Sequence, residues 1–263
     1  MSSLAFDVSG RGPDLVCIHG LASARTAWAP IVDHLANDFT VWRIDLPGHG
    51  ESPSLRPSDD ASPSGLARSV QQFATEHGIA RPHVVGNSLG GFIGLEWAAL
   101  GDVASVTALC PAGLWQPRPS RSATIEFNHR AAKVFAPVAP ALMSIPFLRG
   151  ALMASASERP RAMSASIAVD AVRAQTQARG FEACYTATLT TSFDTRESLI
   201  APDVPVTVAF GDRDRILPSP RMQQRDMAPA HTRWETLYRC GHVPMWDVPR
   251  VSVDLIRQTA QLA

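Results

Sequence analysis

The segment HVVGNSLGGFIGLEWAAL, residues 83–100, changes from a buried strand pattern to a helix pattern with no loop between the two. Its first part is a short apolar run, and its second part is apolar on nearly every side except at Glu96. A helix of that kind belongs inside a protein, packed on a sheet. The segment therefore predicts a strand–turn–helix unit in the core of an α/β domain.

The turn of this unit carries the pattern G-x-S-x-G, with Ser88 between Gly86 and Gly90. Because the turn is so tight, we expect a positive φ at Ser88 and no side chain two residues to either side. The hydroxyl would then stand at the carboxyl edge of the sheet, where open α/β folds place their sites. The amide of Leu89, at the helix N-terminus, would point at an oxyanion formed there.

Strand patterns recur along the rest of the chain and alternate with helix patterns, which is typical of parallel βαβ units. Ser62 followed by Pro63 predicts the start of one such helix, and Gly78 its end. The expected strands are DLVCIHG (14–20), FTVWRIDLPGHG (39–50), HVVGN (83–87), SVTALC (105–110), VPVTVAFG (204–211) and TRWETLY (232–238), with a final helix after Pro249.

The alternation stops between about Leu114 and Tyr185, where the sequence is rich in Ala, Met, Ser, Pro and Arg. An interruption of this length is too long for a connecting loop. We predict that residues 115–185 form a helical cap inserted into a core made of residues 1–114 and 186–263. Its larger apolar side chains either line a pocket or only pack the cap helices together. They are Trp115, Phe127, Phe135, Met143, Phe147, Met153 and Met163.

Composition limits the partners that this chain is expected to have. Hydrophobic residues make up 45% of the sequence, and 24 basic residues balance 24 acidic ones. We therefore expect a substantial core and no overall attraction to nucleic acid or anionic membranes, although a local patch could still exist. The four cysteines show no CxxC spacing, and neither a signal peptide nor a membrane span is recognisable. A cytoplasmic protein of unknown oligomeric state is the expectation.

Three motifs together resemble the α/β-hydrolase family: GNSLG in its strand–helix context, DLPGHGES (45–52) and RCGHVPMWD (239–247). The resemblance covers residues 14–110 and 204–263, whereas residues between them match only in composition. It implies an α/β-hydrolase fold, with a mostly parallel central sheet, helices on both faces and an inserted helical cap. It also implies a catalytic triad in the chain order serine, acid, histidine.

The resemblance assigns Ser88 as the nucleophile and leaves two histidines after it as candidate bases. His231 precedes the last strand and so lies at the wrong end of the sheet, whereas His242 follows that strand. After the preceding strand, AFGDRDRILP offers two acids. The family pattern selects Asp214, and Asp212 is interpreted as a turn residue that bonds to backbone.

The second oxyanion donor is expected in the loop after the first predicted strand. In the family an HG pair precedes that donor, so His19 and Gly20 indicate the backbone amide of Leu21. We do not assign His19 to proton transfer. Asp45 and His49 precede the serine in the chain, and the chain order of the family argues against a place for them in the triad; we expect their motif to hold a turn beside the site.

A serine at this position predicts acyl transfer, in which the hydroxyl attacks a carbonyl and water hydrolyses the acyl-enzyme. The expected enzyme is a carboxylesterase for a small to medium hydrophobic ester or a lactone, without metal or organic cofactor. A carbon–carbon bond hydrolase of the meta-cleavage type is an alternative, but HGLASAR departs from the H-G-x-G-P-G loop of those relatives. A cofactor-free perhydrolase or haloperoxidase-like enzyme and a non-catalytic ligand receptor are further alternatives.

Overall fold

A computed structural model shows one seven-stranded sheet within residues 4–194, 199–218 and 220–261, the parts of the chain that the structure describes. The strands are β1 Phe6–Ser9, β2 Asp14–Ile18, β3 Thr40–Ile44, β4 His83–Asn87, β5 Ser105–Leu109, β6 Val206–Gly211 and β7 Arg233–Leu237. Their order across the sheet is β1-β3-β2-β4-β5-β6-β7. Every neighbouring pair is parallel except β1 and β3. The mostly parallel sheet predicted from the sequence is confirmed.

Helices follow most of the strands and cover both faces of the sheet. They are α1 Ala29–Leu35, α2 Pro63–Glu76, α3 Leu89–Leu100, α4 Ala123–Phe135, α5 Ala139–Ser144, α6 Pro146–Leu152, α7 Ala165–Gln177, α8 Phe181–Thr190, α9 Pro244–Asp247 and α10 Pro249–Gln261. Short 3-10 turns cover Arg25–Trp28, Ala136–Val138 and Arg225–Met227. Across the described residues, every helix is too short or too polar to cross a bilayer.

The start of α2 follows the predicted chemistry. Ser62 Oγ accepts a hydrogen bond from the Gly65 N–H at 3.1 Å, and Pro63 occupies the first helical position. The hydroxyl thus satisfies one of the amides that lack a partner at a helix start, while proline has no amide to satisfy. Sequence and structure agree at this helix because the cap is a local interaction.

The edge strand β1 was not expected from the sequence. It is only four residues long, FDVS, and pairs antiparallel with β3, with Phe6 opposite Ile44 and Ser9 opposite Val41. Such a short run carries little periodicity of its own. Its strand conformation depends on the hydrogen bonds that β3 offers, and these exist only in the folded sheet.

The side chains of β2 alternate between two separate parts of the core, one on each face of the sheet. Val16 and Ile18 pack with the apolar residues of α2 and α3, whereas Leu15 and Cys17 pack with those of α1 and α10. All four are at most 1% exposed. Both faces of the sheet are therefore covered, as in parallel sheets generally.

Among the described residues between β5 and β6, the chain forms five helices, α4 to α8, in the part for which a cap was predicted. Helices α4 and α5 pack on α7 through a small cluster formed by Ala132, Ala139, Met143, Met163, Ala168 and Val172. The predicted boundary between residues 185 and 186 falls inside α8, which continues to Thr190. The division into core and cap stays a prediction.

Candidate active site

Ser88 occupies the turn between β4 and α3 with φ 56° and ψ −117°. The predicted positive φ is confirmed. This conformation is uncommon for a residue with a side chain and is held by the surrounding backbone. The Ser88 N–H donates to Leu109 O at 3.0 Å, and Ser88 O accepts from the Phe92 and Ala112 amides. The side chain is partly exposed and faces a cavity.

The two glycines of the motif leave space for backbone atoms. A Cβ on Gly86 would lie 2.0 Å from Gly90 O, and a Cβ on Gly90 would lie 2.0 Å from Ile18 O. A side chain at position 86 would thus collide with the backbone of the turn, as expected, whereas a side chain at position 90 would collide with the backbone of strand β2. Only glycine allows the elbow to approach β2 this closely.

His242 and Asp214 meet in the loops that follow β7 and β6. The His242 Nδ1 lies 2.8 Å from Asp214 Oδ2, and both residues are buried. Asp214 Oδ1 accepts from the Ile216 and Leu217 amides at 2.8 and 2.9 Å. Burial acts to raise the pKa of Asp214, but the His242 imidazole and these hydrogen bonds outweigh it and hold that pKa below its usual range. The carboxylate is therefore ionised beside the imidazole.

Ser88 and His242 line the same cavity, which has a volume of about 190 Å³. Since Nδ1 of His242 faces Asp214, Nε2 is the ring nitrogen left for the serine. The hydrogen bonds among the described residues do not include one between Ser88 Oγ and His242. In enzymes without substrate such bonds are often long and tighten on binding. The structure thus brings Ser88, His242 and Asp214 to the same edge of the sheet.

Asn87 is a supporting residue that the sequence did not single out. Its Nδ2 donates to Leu109 O at 3.1 Å and to His242 O at 2.9 Å. Asn87 therefore ties the residue before the serine to the backbone of the candidate base. Its position inside the G-x-S-x-G motif was visible, but the partner lies 155 residues away.

Asp247 is a second such residue, and it is only 5% exposed. Its carboxylate accepts from the Gly241 N–H at 2.7 Å and from three groups of the segment before α7: the Ser157 hydroxyl and the amides of Glu158 and Arg159. In the same segment, Ala156 O accepts from the amides of His242 and Val243. The loop that carries His242 is therefore held by residues from between α6 and α7.

The backbone expected to supply the oxyanion donors lies next to Ser88. Leu21 and Leu89 both line the cavity, and a Cβ on Gly20 would lie 3.1 Å from the Ser88 Cβ. His19 is fully buried; its Nδ1 donates to Gly20 O at 2.8 Å and its Nε2 accepts from the Leu46 N–H at 3.0 Å. Burial lowers the pKa of His19, in keeping with a neutral ring that holds this loop.

Asp45 and His49, the acid and histidine of DLPGHGES, make contacts away from Ser88. The buried Asp45 carboxylate contacts the Arg25 guanidinium and accepts from the amides of Arg25 and Glu51 at 2.7 and 2.9 Å. His49 Nδ1 donates to Pro47 O at 3.1 Å, and burial lowers the pKa of His49 to about 3. This motif fixes the turn after β3 against the loop that contains Arg25.

The rejected alternatives for the triad also lie where the sequence placed them. Asp212 Oδ1 accepts from the Cys240 amide at 3.2 Å, as expected for a turn residue. His231 precedes β7, and its Nε2 lies 3.2 Å from Val204 O, just before the start of β6. His231 therefore lies at the amino ends of the parallel strands, whereas Ser88 lies at their carboxyl ends.

The cavity beside Ser88 has mixed apolar and uncharged polar walls. Apolar contributions come from the core and from the inserted helices, including Trp115, Ile125, Leu189, Met222 and Trp246. Within the described residues its lining contains no Asp, Glu, Lys or Arg. Of the seven cap side chains considered from the sequence, Trp115 lines the cavity, whereas Met143 and Met163 pack between helices. Phe127, Phe135 and Phe147 are exposed.

One group of possible metal ligands was found in the described residues. The ligand atoms of Cys110, Asp214 and His242 all lie within 4.8 Å of one another. Burial, followed by the nearby Asp214 carboxylate, raises the pKa of the Cys110 thiol well above its usual range. Metals bind the thiolate, so this environment disfavours the form of cysteine that a metal would need. Asp214 and His242 are also already bonded to each other.

Comparisons with known proteins give relatives among esterases. The pimeloyl-[acyl-carrier protein] methyl ester esterase of Methylococcus capsulatus is 44% identical over 110 residues, which cover 41% of this chain and 40% of that protein. The chain thus spans less than half of that relative's length. The esterase of the same name from Xanthomonas campestris pv. campestris is 28% identical over 247 residues, covering 90% of this chain and 91% of that protein.

Solved structures agree with the fold. A bacterial membrane phospholipase A superposes with a TM-score of 0.74 at 23% identity, covering 98% of this chain and 82% of that one. The enol-lactonase from Burkholderia xenovorans LB400 superposes with a TM-score of 0.72 at 22% identity, covering 98% and 96%. A family model described as the alpha/beta hydrolase family matches residues 15–255. This chain belongs to the α/β hydrolase family.

Proposed function

We propose that this protein is a serine hydrolase that cleaves a small to medium hydrophobic carboxylic ester, lactones included. Ser88 is the nucleophile, His242 the general base and Asp214 the residue that orients the base. The observation that carries the proposal is the shared cavity: Ser88 and His242 line it together, and Asp214 holds the imidazole from behind at 2.8 Å.

In the proposed reaction, His242 Nε2 takes the Ser88 proton while Oγ attacks the ester carbonyl carbon. The imidazolium then gives this proton to the departing alcohol, which leaves an acyl group on Ser88. A water molecule enters, loses a proton to His242 and attacks the acyl carbon. The bond between Oγ and the acyl carbon then breaks, the imidazolium returns its proton to Oγ, and the acid leaves.

The negative oxygen formed in each step is assigned to the amides of Leu21 and Leu89. Each such donor typically contributes about 2.7–4 kcal/mol to transition-state stabilisation. Support comes from the position of Leu89 at the start of α3 and from the contact between Gly20 and Ser88. Both donors are backbone N–H groups. The position of the Leu21 amide therefore depends on the loop after β2, which contacts of His19 and Arg25 hold in place.

The walls of the cavity favour an uncharged acyl group, because they carry no Asp, Glu, Lys or Arg among the described residues. Moving a charged group from water into such a site is costly when no counter-ion is present. The relatives named methyl ester esterases make methyl esters of medium-length acyl chains the first natural-type substrates to test.

The test is a panel of p-nitrophenyl esters of increasing acyl length, together with methyl esters and lactones. We expect hydrolysis by the wild type, a preference for uncharged acyl chains over chains that end in a carboxylate, and loss of turnover in Ser88→Ala. A fluorophosphonate should form its covalent adduct at Ser88, as located by mass spectrometry. Ser23→Ala is a matched control, since Ser23 lines the cavity but is assigned no step.

Full esterase activity in Ser88→Ala would refute the nucleophile assignment. A folded wild type that turns over no ester and takes no fluorophosphonate would favour the ligand receptor. Hydrolysis of a dienol-ketone ring-fission product in preference to all esters would favour the carbon–carbon bond hydrolase.

A further inference from the structure

Residues 134–148, VFAPVAPALMSIPFL, form an uncharged run on the outside of the molecule. Ten of these fifteen residues are exposed, and all ten except Ser144 are apolar. A run of this composition would normally be found in a core. Here it consists of the end of α4, the whole of α5 and the start of α6, which succeed one another almost without loops.

Exposed large hydrophobic residues are concentrated in the same helices. Of twelve such residues in the described chain, seven lie between positions 127 and 152: Phe127, Val134, Phe135, Val138, Ile145, Phe147 and Leu152. We call these seven residues the α4–α6 face. Phe127, Val134 and Phe147 are 68%, 72% and 67% exposed. Soluble monomers rarely expose large apolar patches, and those that do use them for binding.

The packing of the helices explains why this face is outside. Ala132 of α4 and Ala139 and Met143 of α5 point inward, where they pack with Ala168 and Val172 of α7. The apolar residues of the α4–α6 face are therefore additional to those that hold the helices in place. On α4, Ala132 is packed while Phe127, Val134 and Phe135 face solvent, whereas α5 supplies packed residues and none of the seven exposed ones.

Basic residues lie on α4 and beside Phe147 of the α4–α6 face. Arg130 and Lys133 are exposed on α4, and the Arg161 guanidinium lies over the Phe147 ring at 5.6 Å from its centre. Residues 115–162 contain seven Arg or Lys residues and two Glu residues, although the whole chain has 24 basic and 24 acidic residues. This part of the sequence thus has a positive excess, although Arg149 is buried against backbone carbonyls and Arg121 pairs with Glu126 and Glu182.

We propose that the α4–α6 face docks on the surface of an anionic lipid bilayer. Apolar side chains that enter the interface together with Arg and Lys at the headgroups are the general features of helices that lie on a membrane. Helix α4 also contributes Ile125 and Asn128 to the active-site cavity, so docking brings that cavity close to lipid-dissolved molecules.

The experiment measures co-sedimentation of the purified full-length protein with phosphatidylcholine vesicles, with and without phosphatidylglycerol. We expect binding to the anionic vesicles that weakens with added salt, and much weaker binding to the neutral ones. Phe127→Ser combined with Phe147→Ser should reduce partitioning at least about tenfold, because two large apolar groups no longer enter the interface. Arg130→Ser combined with Lys133→Ser should reduce binding to anionic vesicles by about tenfold and leave binding to neutral vesicles unchanged.

Tyr238→Ser is the matched control, since Tyr238 is 75% exposed and follows β7, outside this face. It should bind vesicles like the wild type. All variants should hydrolyse a water-soluble ester at wild-type rates, which shows that they are folded. Vesicle binding is measured without turnover, so its failure is distinguishable from failure of the proposed esterase activity.

Two outcomes would overturn the proposal. One is a wild type that does not sediment with anionic vesicles, or a Phe127→Ser/Phe147→Ser variant that sediments equally well. The other is a wild-type dimer in analytical ultracentrifugation that this variant dissociates, without vesicle binding. In that case a second copy of the chain covers the face.

Discussion

The carboxylate of Asp247 and the hydroxyl of Ser157, ninety residues apart in the chain, share a hydrogen bond of 2.5 Å. Asp247 also binds the amide of Gly241, the residue before His242. The segment between α6 and α7 and the loop of the candidate base are thus joined through a buried acid. Rigid support of this kind keeps a catalytic group in its reactive geometry.

Asp247→Asn should therefore weaken both stability and activity. The asparagine keeps one acceptor oxygen, but its NH₂ group replaces the other oxygen and cannot accept from the backbone amides that face it. Hydrogen bonds to a charged group contribute about 1.5–3 kcal/mol each, and some of these are lost. We expect the free energy of unfolding to fall by about 3 kcal/mol in urea titrations. The kcat for an ester should fall about 10- to 100-fold with little change in KM, because His242 is displaced while the cavity remains.

Asp254→Asn provides the control for this variant. Asp254 lies on α10 with a side chain 63% exposed and a single weak ion pair to Arg257 at 3.9 Å. Exposed pairs contribute little, so its stability should remain within about 0.5 kcal/mol of the wild type. Equal stability of Asp247→Asn and Asp254→Asn would show that the buried acid does not organise the loop.

The activities of two histidine variants should distinguish His242, the proposed base, from His231, the other histidine that follows Ser88 in the chain. His242→Gln should lower kcat by about 10⁴-fold or more, because no group then accepts the Ser88 proton. His231→Gln should retain wild-type kcat, since that histidine lies beside Val204 at the opposite edge of the sheet. The measurement is steady-state hydrolysis of a p-nitrophenyl ester. A comparable loss in both variants would contradict the assignment.

The two acids of the loop after β6 can be distinguished in the same assay. Asp214→Asn removes the negative charge that faces His242 Nδ1, and we expect kcat to fall about 10⁴-fold. Asp212→Asn should keep most of the activity, because its amide oxygen can still accept from the Cys240 N–H. Greater loss in Asp212→Asn than in Asp214→Asn would reverse the two roles.

Acid should destabilise the protein through its buried histidines. The pKa of His49 is about 3 in the folded chain, against an ordinary value near 6.5. Between these two values the unfolded chain binds one proton more than the folded chain at this site. The free energy of unfolding therefore falls as the pH falls from about 6.5, by up to about 1.4 kcal/mol per pH unit for this group.

His49→Gln tests this pH dependence, because glutamine does not titrate. Urea titrations of wild type and variant at several pH values between about 6.5 and 4.5 give the two slopes of stability against pH. We expect a smaller slope in the variant whatever its absolute stability, and unchanged esterase activity at neutral pH. Identical slopes would mean that His49 gains a proton without unfolding.

Features that depend on neighbouring residues were visible in the sequence. The Ser62 cap, the apolar helix α3 and the strand–turn–helix around Ser88 each rest on residues within a few positions of one another. Strand β1 was missed because FDVS acquires its conformation only by pairing with β3. Asn87 was visible in the motif, but nothing in the sequence indicated that its amide would bind His242 O.

The sequence by itself determined the fold class, because alternating strand and helix patterns can be recognised locally, and its resemblance to the α/β-hydrolase family selected Ser88, Asp214 and His242 as the candidate triad. Only the tertiary structure decided how these residues are supported. Asp247, Ser157 and Ala156 hold the histidine loop through contacts between distant segments, and the apolar residues of α4 to α6 divide between a packed side and an exposed side. Such contacts depend on how elements pack against each other, which local patterns do not record.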